Sequence, residues 1–311
     1  MKAFQLEQLR TFATVVEEGT LEAAARSLYI TPSAVSQRLK AMEDAAGQIL
    51  LQRTSPVRPT AAGEAVLRFA LQVRQLERDA HQELGGSGAN PGAPIPLVVN
   101  ADSLSTWFLP ALASLPEDLG ACVEILREDE QHSTRLLRTG AAVAAVTATP
   151  EPVPGCSVEP LGSLRYRAVA SPAYVRRWWK DGRGPVAGSP APVMDFDRKD
   201  HLQAGFFRTV TGTELAAPRH YVPSSAEFAQ AIRLGLGWGL LPEQQCLTDL
   251  ASGDLVELAH DRPIDVSLYW QRWKIDSPVL NQLTAAVRET ASGQLRQPAS
   301  GGPGLPATDL R

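Results

Sequence analysis

Residues 20–60 decide the fold of the N-terminal part of the chain, and they read TLEAAARSLYITPSAVSQRLKAMEDAAGQILLQRTSPVRPT. A short helix is predicted over about 20–28 and a second over 33–46, on either side of a tight break. Thr31 can cap the second helix through its side-chain oxygen, and Pro32 suits the first helical position. The pattern therefore predicts two helices joined by a turn.

The second helix has one apolar and one polar face. Its apolar residues recur at i, i+4 and i+7: Val35, Leu39 and Met42. The other face offers small, amide-bearing or cationic side chains, which suit base edges and phosphates: Ser33, Ser36, Gln37, Arg38 and Lys40. This arrangement predicts a helix-turn-helix in which 33–46 is the recognition helix.

Basic residues continue beyond that helix. Gly47 can end it, and a plausible wing follows in which Arg53 and Arg58 reach phosphates. Between 26 and 60, five Arg and Lys residues oppose Glu43 and Asp44, so the segment carries +3 while the whole chain carries −4. An ordinary αα-hairpin with a solvated polar face is the alternative, and the continued basic pattern argues against it. The predicted DNA-binding residues are Thr31, Pro32, Ser33, Ser36, Gln37, Arg38, Lys40, Arg53 and Arg58.

Length and composition narrow the protein class. A chain of 311 residues suits two or three domains. It contains no apolar run of the roughly 20 residues that cross a membrane, and its first residues lack the apolar region of a signal peptide. We therefore expect a cytoplasmic protein that makes no contact with a membrane. The three cysteines fit buried reduced thiols, and we expect no metal, no cofactor and no enzymatic activity, since no catalytic or phosphate-binding motif is visible.

A long helix is predicted over 60–84. Apolar residues recur in it at spacings of 3, 4, 3 and 4, as in a two-stranded coiled coil: Val66, Phe69, Val73, Leu76 and Ala80. A helix packed on its own domain is the alternative. A flexible Gly/Pro linker is predicted over 85–94 and a disordered tail over 298–311. Between them, alternating strand and helix patterns predict an α/β domain with parallel strands and helices on both faces.

The chain resembles the LysR-type transcriptional regulators over about residues 4–295. The N-terminal signature includes Leu9-Arg10-Thr11-Phe12, Ala23-Ala24-Ala25, Ser36-Gln37-Arg38-Leu39, Met42-Glu43, Gly47, Leu50, Arg53 and Thr60-Ala61-Ala62-Gly63; Leu51 departs from it, where the family usually carries Phe. It is also similar to the lysine- and arginine-responsive ArgP/LysG branch. The residues that carry this likeness include Asn100 to Pro110, Arg127-Glu128-Asp129, Phe196-Asp197, Ser224 to Phe228 and Tyr269 to Trp273.

The resemblance implies a fold and an organisation. The fold is α/β: an N-terminal winged helix-turn-helix (1–59) and a linker, or dimerisation, helix (60–84), then a two-lobed effector domain like the periplasmic binding proteins (95–297). Lobe 1 would span 95–163 and 268–297, and lobe 2 would span 164–267. The implied partners are a pseudo-palindromic double-stranded operator, a small effector and a second copy of the chain in a homodimer or homotetramer. RNA polymerase is a further candidate partner.

The effector is expected beyond the carboxyl ends of the strands, as in other open α/β sheets. Backbone N–H groups and the hydroxyls of Ser103, Ser105 and Thr106, just before a helix predicted from Thr106, could hold an α-carboxylate. Four carboxylates that follow two strands or open a helix would suit a doubly cationic ligand: Glu128, Asp129, Asp197 and Glu227. Any single carboxylate could instead cap a helix or face solvent, and each tryptophan could belong to the core. The predicted effector-binding residues are Asp102, Ser103, Ser105, Thr106, Trp107, Glu128, Asp129, Asp197, Ser224 and Glu227.

Three functions compete at this point. The first is a regulator gated by lysine or arginine, which activates a basic amino-acid exporter gene. The second is the same class of regulator responding to an organic acid, which Arg127, Arg165, Arg167 and Arg272 leave open. The third is a solute-binding or enzyme module on the same α/β fold.

Overall fold

The computed structural model describes residues 3–52, 54–84, 94–116, 122–127, 130–179 and 190–298. Three of the predicted site residues, Arg53, Glu128 and Asp129, lie outside these ranges. So do nearly all of the predicted 85–94 linker and 298–311 tail.

The N-terminal helices match the predicted helix-turn-helix. They are α1 (Leu6–Glu18), α2 (Leu21–Ser27) and α3 (Pro32–Ala46). The side-chain oxygen of Thr31 accepts a hydrogen bond from the backbone N–H of Ala34 at 3.2 Å, and Gly47 ends α3 in the left-handed region at φ 71°. Val35, Leu39 and Met42 are buried in a core shared with α1, so the apolar face packs inward as predicted.

A short two-stranded ribbon follows the helix-turn-helix. Strand β1 (Leu51–Gln52) pairs antiparallel with β2 (Arg58–Pro59) and forms the predicted wing. Helix α4 (Ala61–Glu83) begins directly after it. Leu67 and Ala70 of α4 are buried against the N-terminal core, whereas Phe69 and Leu76 of the predicted seam are 48% and 41% exposed. The helix therefore packs on its own domain through one face and leaves apolar side chains uncovered on another.

The second domain is built on a seven-stranded mixed sheet. Its strands are β3 (Ile95–Val98), β4 (Val123–Leu126), β5 (Ala144–Thr147), β6 (Cys156–Ala170), β9 (Gly239–Pro242), β10 (Val256–Glu257) and β11 (Ile264–Trp273). Only β3 with β4 and β3 with β5 are parallel; the other pairings are antiparallel. The prediction of parallel strands holds for β3 with β4 and β5, and it was wrong for the rest of this sheet, because β6 and β11 return along it as long neighbouring antiparallel strands. A separate parallel pair joins β7 (Val193–Asp195) to β8 (Arg219–Tyr221).

The two long strands connect two halves of this domain. The later part of β11 pairs with β5, whereas the later part of β6 pairs with β9 and β10. Strand β6 is a single strand of 15 residues that passes Gly162. Gly162 has φ 121°, which favours glycine, and the register shifts between Leu268 and Tyr269 opposite this region. The glycine bends the strand without ending it.

Helices cover the sheet. They are α5 (Ala101–Ser103), a π-helical turn (Leu104–Phe108), α6 (Leu109–Ala113), α7 (Glu130–Thr139), α8 (Pro172–Trp178), α9 (Leu202–Thr211), α10 (Ser225–Arg233), α11 (Glu243–Ser252) and α12 (Pro278–Gln294). The helix predicted to start near Thr106 starts instead at Ala101. The side chain of Asn100 accepts from the backbone N–H of Ser103 at 3.0 Å and caps the helix there.

Trp107, Trp238 and Trp270 are at most 1% exposed and belong to the large core of this domain. The expectation of buried thiols holds for Cys156 and Cys246 but was wrong for Cys122, which is exposed next to the start of β4.

Candidate nucleic-acid interface and effector cavity

The polar face of α3 is open to solvent. Ser33, Ser36, Gln37 and Lys40 are exposed, and so are the preceding Thr31 and Pro32. Arg58 on β2 is exposed as well, and it lies on the wing next to the recognition helix. The surface therefore presents the amide, hydroxyl and cationic groups that base edges and phosphates accept.

Arg38 has a different environment from the other predicted DNA contacts. Its Nη1 donates to the Thr11 hydroxyl at 3.0 Å and to a Glu7 carboxylate oxygen at 3.3 Å. Both partners lie on α1, so the guanidinium connects α3 to α1. A structural role for Arg38 thus stands beside the predicted DNA contact.

Tyr29 is a surface residue that the sequence analysis missed. It lies in the turn between α2 and α3 with φ 55°, a region that non-glycine residues rarely adopt, and it is 96% exposed. Its backbone N–H donates to the Arg26 carbonyl at 3.2 Å, which closes the turn. The tight break in the sequence indicated a turn, but not that an aromatic side chain would project from it.

A cavity of about 440 Å³ opens in the second domain. Its wall contains residues that directly follow three strands: Asn100 to Asp102 after β3, Arg127 after β4, and Phe196 and Asp197 after β7. The predicted location at the carboxyl ends of strands therefore agrees with the position of the cavity.

The Asp102 carboxylate is held from two sides. One oxygen accepts from the Tyr166 hydroxyl at 2.7 Å, and the other accepts from the Ser225 hydroxyl at 2.6 Å. Burial raises the pKa of Asp102 above its usual range, and the hydrogen bonds from Ser225 and Tyr166 act in the opposite direction. A half-buried carboxylate that lines a cavity is a good acceptor for a ligand cation, because charge-assisted hydrogen bonds are stronger than neutral ones.

Hydrogen bonds extend from Asp102 to α11. The Gln245 amide donates to the Ser225 hydroxyl and to the Ser105 hydroxyl, both at 2.9 Å. Asp102 and Ser105 follow β3, whereas Ser225 and Gln245 belong to α10 and α11. The network thus joins the two halves of the domain at the cavity.

Asp197 and Asp200 bring two more carboxylates to the cavity wall. Asp200 accepts from the backbone N–H groups of Phe196 and Leu202 at 2.8 and 2.9 Å and from the Gln203 amide at 2.7 Å, so it holds its own loop together. Asp197 accepts from the Lys199 backbone N–H at 2.7 Å through one oxygen. Among the described residues, Asp197 accepts fewer hydrogen bonds than Asp200.

The structure brings only part of the predicted effector set together. Asp102 and Asp197 line the cavity. Ser103 is fully buried, Trp107 is in the core, and the Thr106 hydroxyl donates to the Asp102 carbonyl at 2.6 Å. The hydroxyls of Ser103 and Thr106 therefore do not point from a helix start into the cavity, because the helix begins at Ala101, five residues earlier than Thr106. Trp107 follows the alternative given for each tryptophan and belongs to the core. Ser105 contacts Gln245, and it too is absent from the cavity wall.

Ser224 and Glu227 lie at the start of α10 and outside the cavity wall. The Ser224 hydroxyl donates to the exposed Glu227 carboxylate. The Ser224 hydrogen bond and, to a smaller extent, the charge of Arg127 lower the pKa of Glu227. Arg127 thus lies near Glu227 and also lines the cavity. It is one of the arginines that left an organic acid open as the effector.

Other groups in the wall could not be assigned from sequence. Tyr166 belongs to β6 and Phe228 to α10, far from Asp102 along the chain. Lys199 also lines the cavity, but no motif in the sequence distinguishes it from an ordinary surface lysine. Within the described ranges, no group of three His, Cys, Asp or Glu side chains is arranged to hold a metal ion, and no helix is long and apolar enough to cross a membrane.

Known proteins give a consistent comparison. Residues 6–64 match the family described as bacterial regulatory helix-turn-helix protein, lysR family, and residues 94–292 match the LysR substrate binding domain. The regulator LysG of Mycobacterium bovis is 44% identical over 289 residues, covering 93% of this chain and 94% of that protein. The lysine export transcriptional regulatory protein LysG of Corynebacterium glutamicum is 40% identical over 290 residues, covering 93% and 98%.

A solved structure of full-length LysG from Corynebacterium glutamicum with bound effector Arg superimposes with a TM-score of 0.81 at 38% identity. It covers 94% of this chain and 99% of that one. The matches span both domains in the order found here, and the chain belongs to the LysR family of DNA-binding transcriptional regulators.

Proposed function

We propose that this regulator senses a basic amino acid, arginine or lysine, in the 440 Å³ cavity and controls a gene for basic amino-acid export. The observation that carries the proposal is the charge pattern of the wall, where carboxylates and cations face one space. Arginine and lysine combine one carboxylate with two cationic groups, so they need both signs. The name and the bound effector of the two LysG relatives support the same ligand class.

The assignment of groups follows from their surroundings. Asp102 and Asp197 would accept the two cationic groups of the ligand, because both line the cavity and carry a negative charge when ionised. Arg127 and Lys199 would face the α-carboxylate. Glu128 and Asp129 remain predicted contacts, since they follow Arg127 directly in sequence.

Calorimetric titration with a series of analogues tests the proposal. Arginine and lysine should bind, norleucine should bind weakly because it lacks the distal cation, and agmatine should bind weakly because it lacks the carboxylate. Asp197→Asn should weaken arginine binding by about 1.5–3 kcal/mol, the range for a hydrogen bond to a charged group. If neither arginine nor lysine binds to the wild type, the proposal is wrong.

Glu227→Gln is the matched comparison, because it also removes one negative charge near Arg127 without changing the side-chain shape. Its carboxylate is outside the cavity wall, so arginine affinity should change less than in Asp197→Asn. An equal or larger loss in Glu227→Gln would instead support the direct contact predicted from sequence.

An organic acid is the second candidate effector, and Arg127 and Lys199 in the wall favour it. The other arginines considered for such a site are engaged elsewhere or absent from the wall: Arg165 pairs with Asp265 and Arg167 pairs with Glu243 and Glu257. Arg272 is on β11, away from the wall. Binding of a dicarboxylate in place of arginine would establish this alternative.

The DNA side of the proposal includes a homodimer or homotetramer on a pseudo-palindromic operator. Exposed apolar side chains on α4, Phe69 and Leu76, support a seam between two copies. A dimer would present two recognition helices, which matches the two-fold symmetry of such operators. RNA polymerase contact stays a prediction.

A further inference from the structure

Helix α4 contacts the effector domain through one face. Glu64, Arg68 and Leu71 are spaced at i, i+4 and i+7, so they lie on the same side of the helix. Leu71 packs against both the N-terminal core and the effector-domain core. This face is distinct from the exposed Phe69 and Leu76.

The contact of Glu64, Arg68 and Leu71 of α4 with Arg138, Gly140 and Gly155 of the effector domain is called the joint below. Arg68 makes its main polar contact. Its Nη1 donates to the Arg138 carbonyl at 3.0 Å, in the last turn of α7. Carbonyl groups at a helix C-terminus lack helical partners and carry partial negative charge, so a guanidinium there is favourable. Arg138 in turn approaches the Glu64 carboxylate at 3.8 Å.

Two glycines allow α4 to pack closely against the effector domain. Gly140, directly after α7, has φ 83°, and a Cβ there would come 2.8 Å from Leu71 Cδ1 and 3.3 Å from Arg68 Cα. Gly155 has φ 84°, and a Cβ there would come 3.3 Å from Arg68 Nε. A side chain at either glycine would therefore push α4 away from the effector domain, so the two parts are in direct contact here.

The opposite end of α7 leads to the cavity. Arg127, which lines the cavity, precedes the start of α7 at Glu130 by three residues. Ten helical residues span about 15 Å at 1.5 Å per residue. Helix α7 thus begins three residues after the cavity-lining Arg127 and ends at the contact with Arg68.

We propose that α7 transmits effector occupancy to α4, and that Arg68 is the positioning residue that couples them. A ligand that draws Arg127 inward shifts α7, and the joint passes this shift to α4 and to the recognition helices before it. Arg68 touches neither the cavity nor the polar face of α3, so it affects the two sites only through their coupling. The identity of the ligand rests on the proposed function, whereas the joint itself does not.

The experiment measures that coupling. Arginine affinity is determined for the protein alone and for its complex with an operator duplex that the wild type selects from random DNA. The ratio of the two dissociation constants is the coupling factor, which is typically 5- to 150-fold, as an order of magnitude, in allosteric proteins. In Arg68→Ala the ratio should fall toward one, while arginine affinity without DNA and DNA affinity without arginine each stay within about twofold of wild type.

Arg74→Ala is the matched control. Arg74 is on the same helix and pairs with Glu17 of α1 at 2.7 Å, so its loss leaves the joint intact. Arg68→Lys keeps the positive charge near the Arg138 carbonyl and should retain part of the coupling. A wild-type ratio of one, or an unchanged ratio in Arg68→Ala, would overturn the proposal.

A second measurement separates the joint from the ligand. If arginine does not bind the wild type, the proposed effector is wrong, but the joint can still be tested. The DNA bend in the effector-free complex is then measured by energy transfer between dyes at the two ends of the duplex. Arg68→Ala should change the bend, since α4 is released from α7, and Arg74→Ala should not. An identical bend in the wild type and Arg68→Ala would contradict the joint.

Discussion

Single residues of α3 carry the expected sequence specificity. Ser36 and Gln37 are exposed on the polar face. The Gln37 side chain has one amide donor and one carbonyl acceptor, which match the N7 acceptor and the N6 donor of adenine. Ser36→Ala and Gln37→Ala should each reduce discrimination between operator and random DNA by about 1–3 kcal/mol for a good base contact. Fluorescence anisotropy with both duplexes at one salt concentration measures this, and unchanged discrimination would remove these two residues from base recognition.

Arg58 and Arg38 should behave differently although both are arginines of the DNA-binding domain. Arg58 is exposed on the wing, so Arg58→Ala should weaken binding to all sequences and reduce the salt-dependence slope by about one unit for one lost phosphate contact. Arg38 contacts Thr11 and Glu7, so Arg38→Ala should lower the free energy of unfolding by about 0.5–1.5 kcal/mol. A lowered salt slope in Arg38→Ala with unchanged stability would reverse the two roles.

The residues of the cavity show what sequence could and could not predict at this scale. Asp102 and Asp197 were predicted because each directly follows a strand, which is a local signal. The partners of Asp102 were not, since Tyr166 and Ser225 are 64 and 123 residues away along the chain. Such contacts arise from the pairing of distant strands, and no spacing in the sequence encodes them.

Elements with strong local signals were predicted well. Thr31 caps α3 through its side chain and Gly47 ends it, as the sequence indicated. The start of the helix after β3 was missed, because Asn100 and the hydroxyls at 103, 105 and 106 are all credible caps and only tertiary packing selects Asn100. Strand direction was missed for a similar reason, since alternation of strands and helices does not show where β6 and β11 pair.

Helix α4 gives the prediction at this scale. Leu76 is 41% exposed in the single chain and belongs to the predicted coiled-coil seam. Leu76→Asp should dissociate the dimer, because it would place a charge in a desolvated interface. Light scattering after size exclusion measures the mass, and His81→Asp, exposed on the same helix outside the seam, is the control. A dimer that survives Leu76→Asp would contradict the seam.

At the scale of the whole molecule, charge is divided between the two functions. The +3 segment at 26–60 sits in a chain of net charge −4, so the DNA-reading part is basic while the remainder is acidic. The recognition helix and the effector cavity lie in separate domains, and α4 contacts both cores through Leu71. Within the described residues, α4 is therefore a physical connection between the two domains.

Asp102 links the two halves of the effector domain, and its protonation should make effector binding pH-dependent. Burial raises the pKa of Asp102 in the folded protein above its value in the unfolded chain. Protonated Asp102 therefore stabilises the folded state below the unfolded pKa, and this contribution to the free energy of unfolding is lost as the pH rises through the folded pKa. A cationic ligand prefers the ionised form. Arginine affinity should therefore fall as pH decreases through the acidic range, and binding there should release a proton.

Calorimetry in buffers of different ionisation enthalpy measures that proton release. Asp102→Asn should abolish it and weaken binding at neutral pH, because the amide cannot ionise and offers a cation only a neutral acceptor. Tyr166 should not contribute, since burial and the neighbouring Asp102 raise its pKa well above its usual value and keep its hydroxyl protonated. Equal proton release in the wild type and Asp102→Asn would show that Asp102 is not the group that loses the proton on binding.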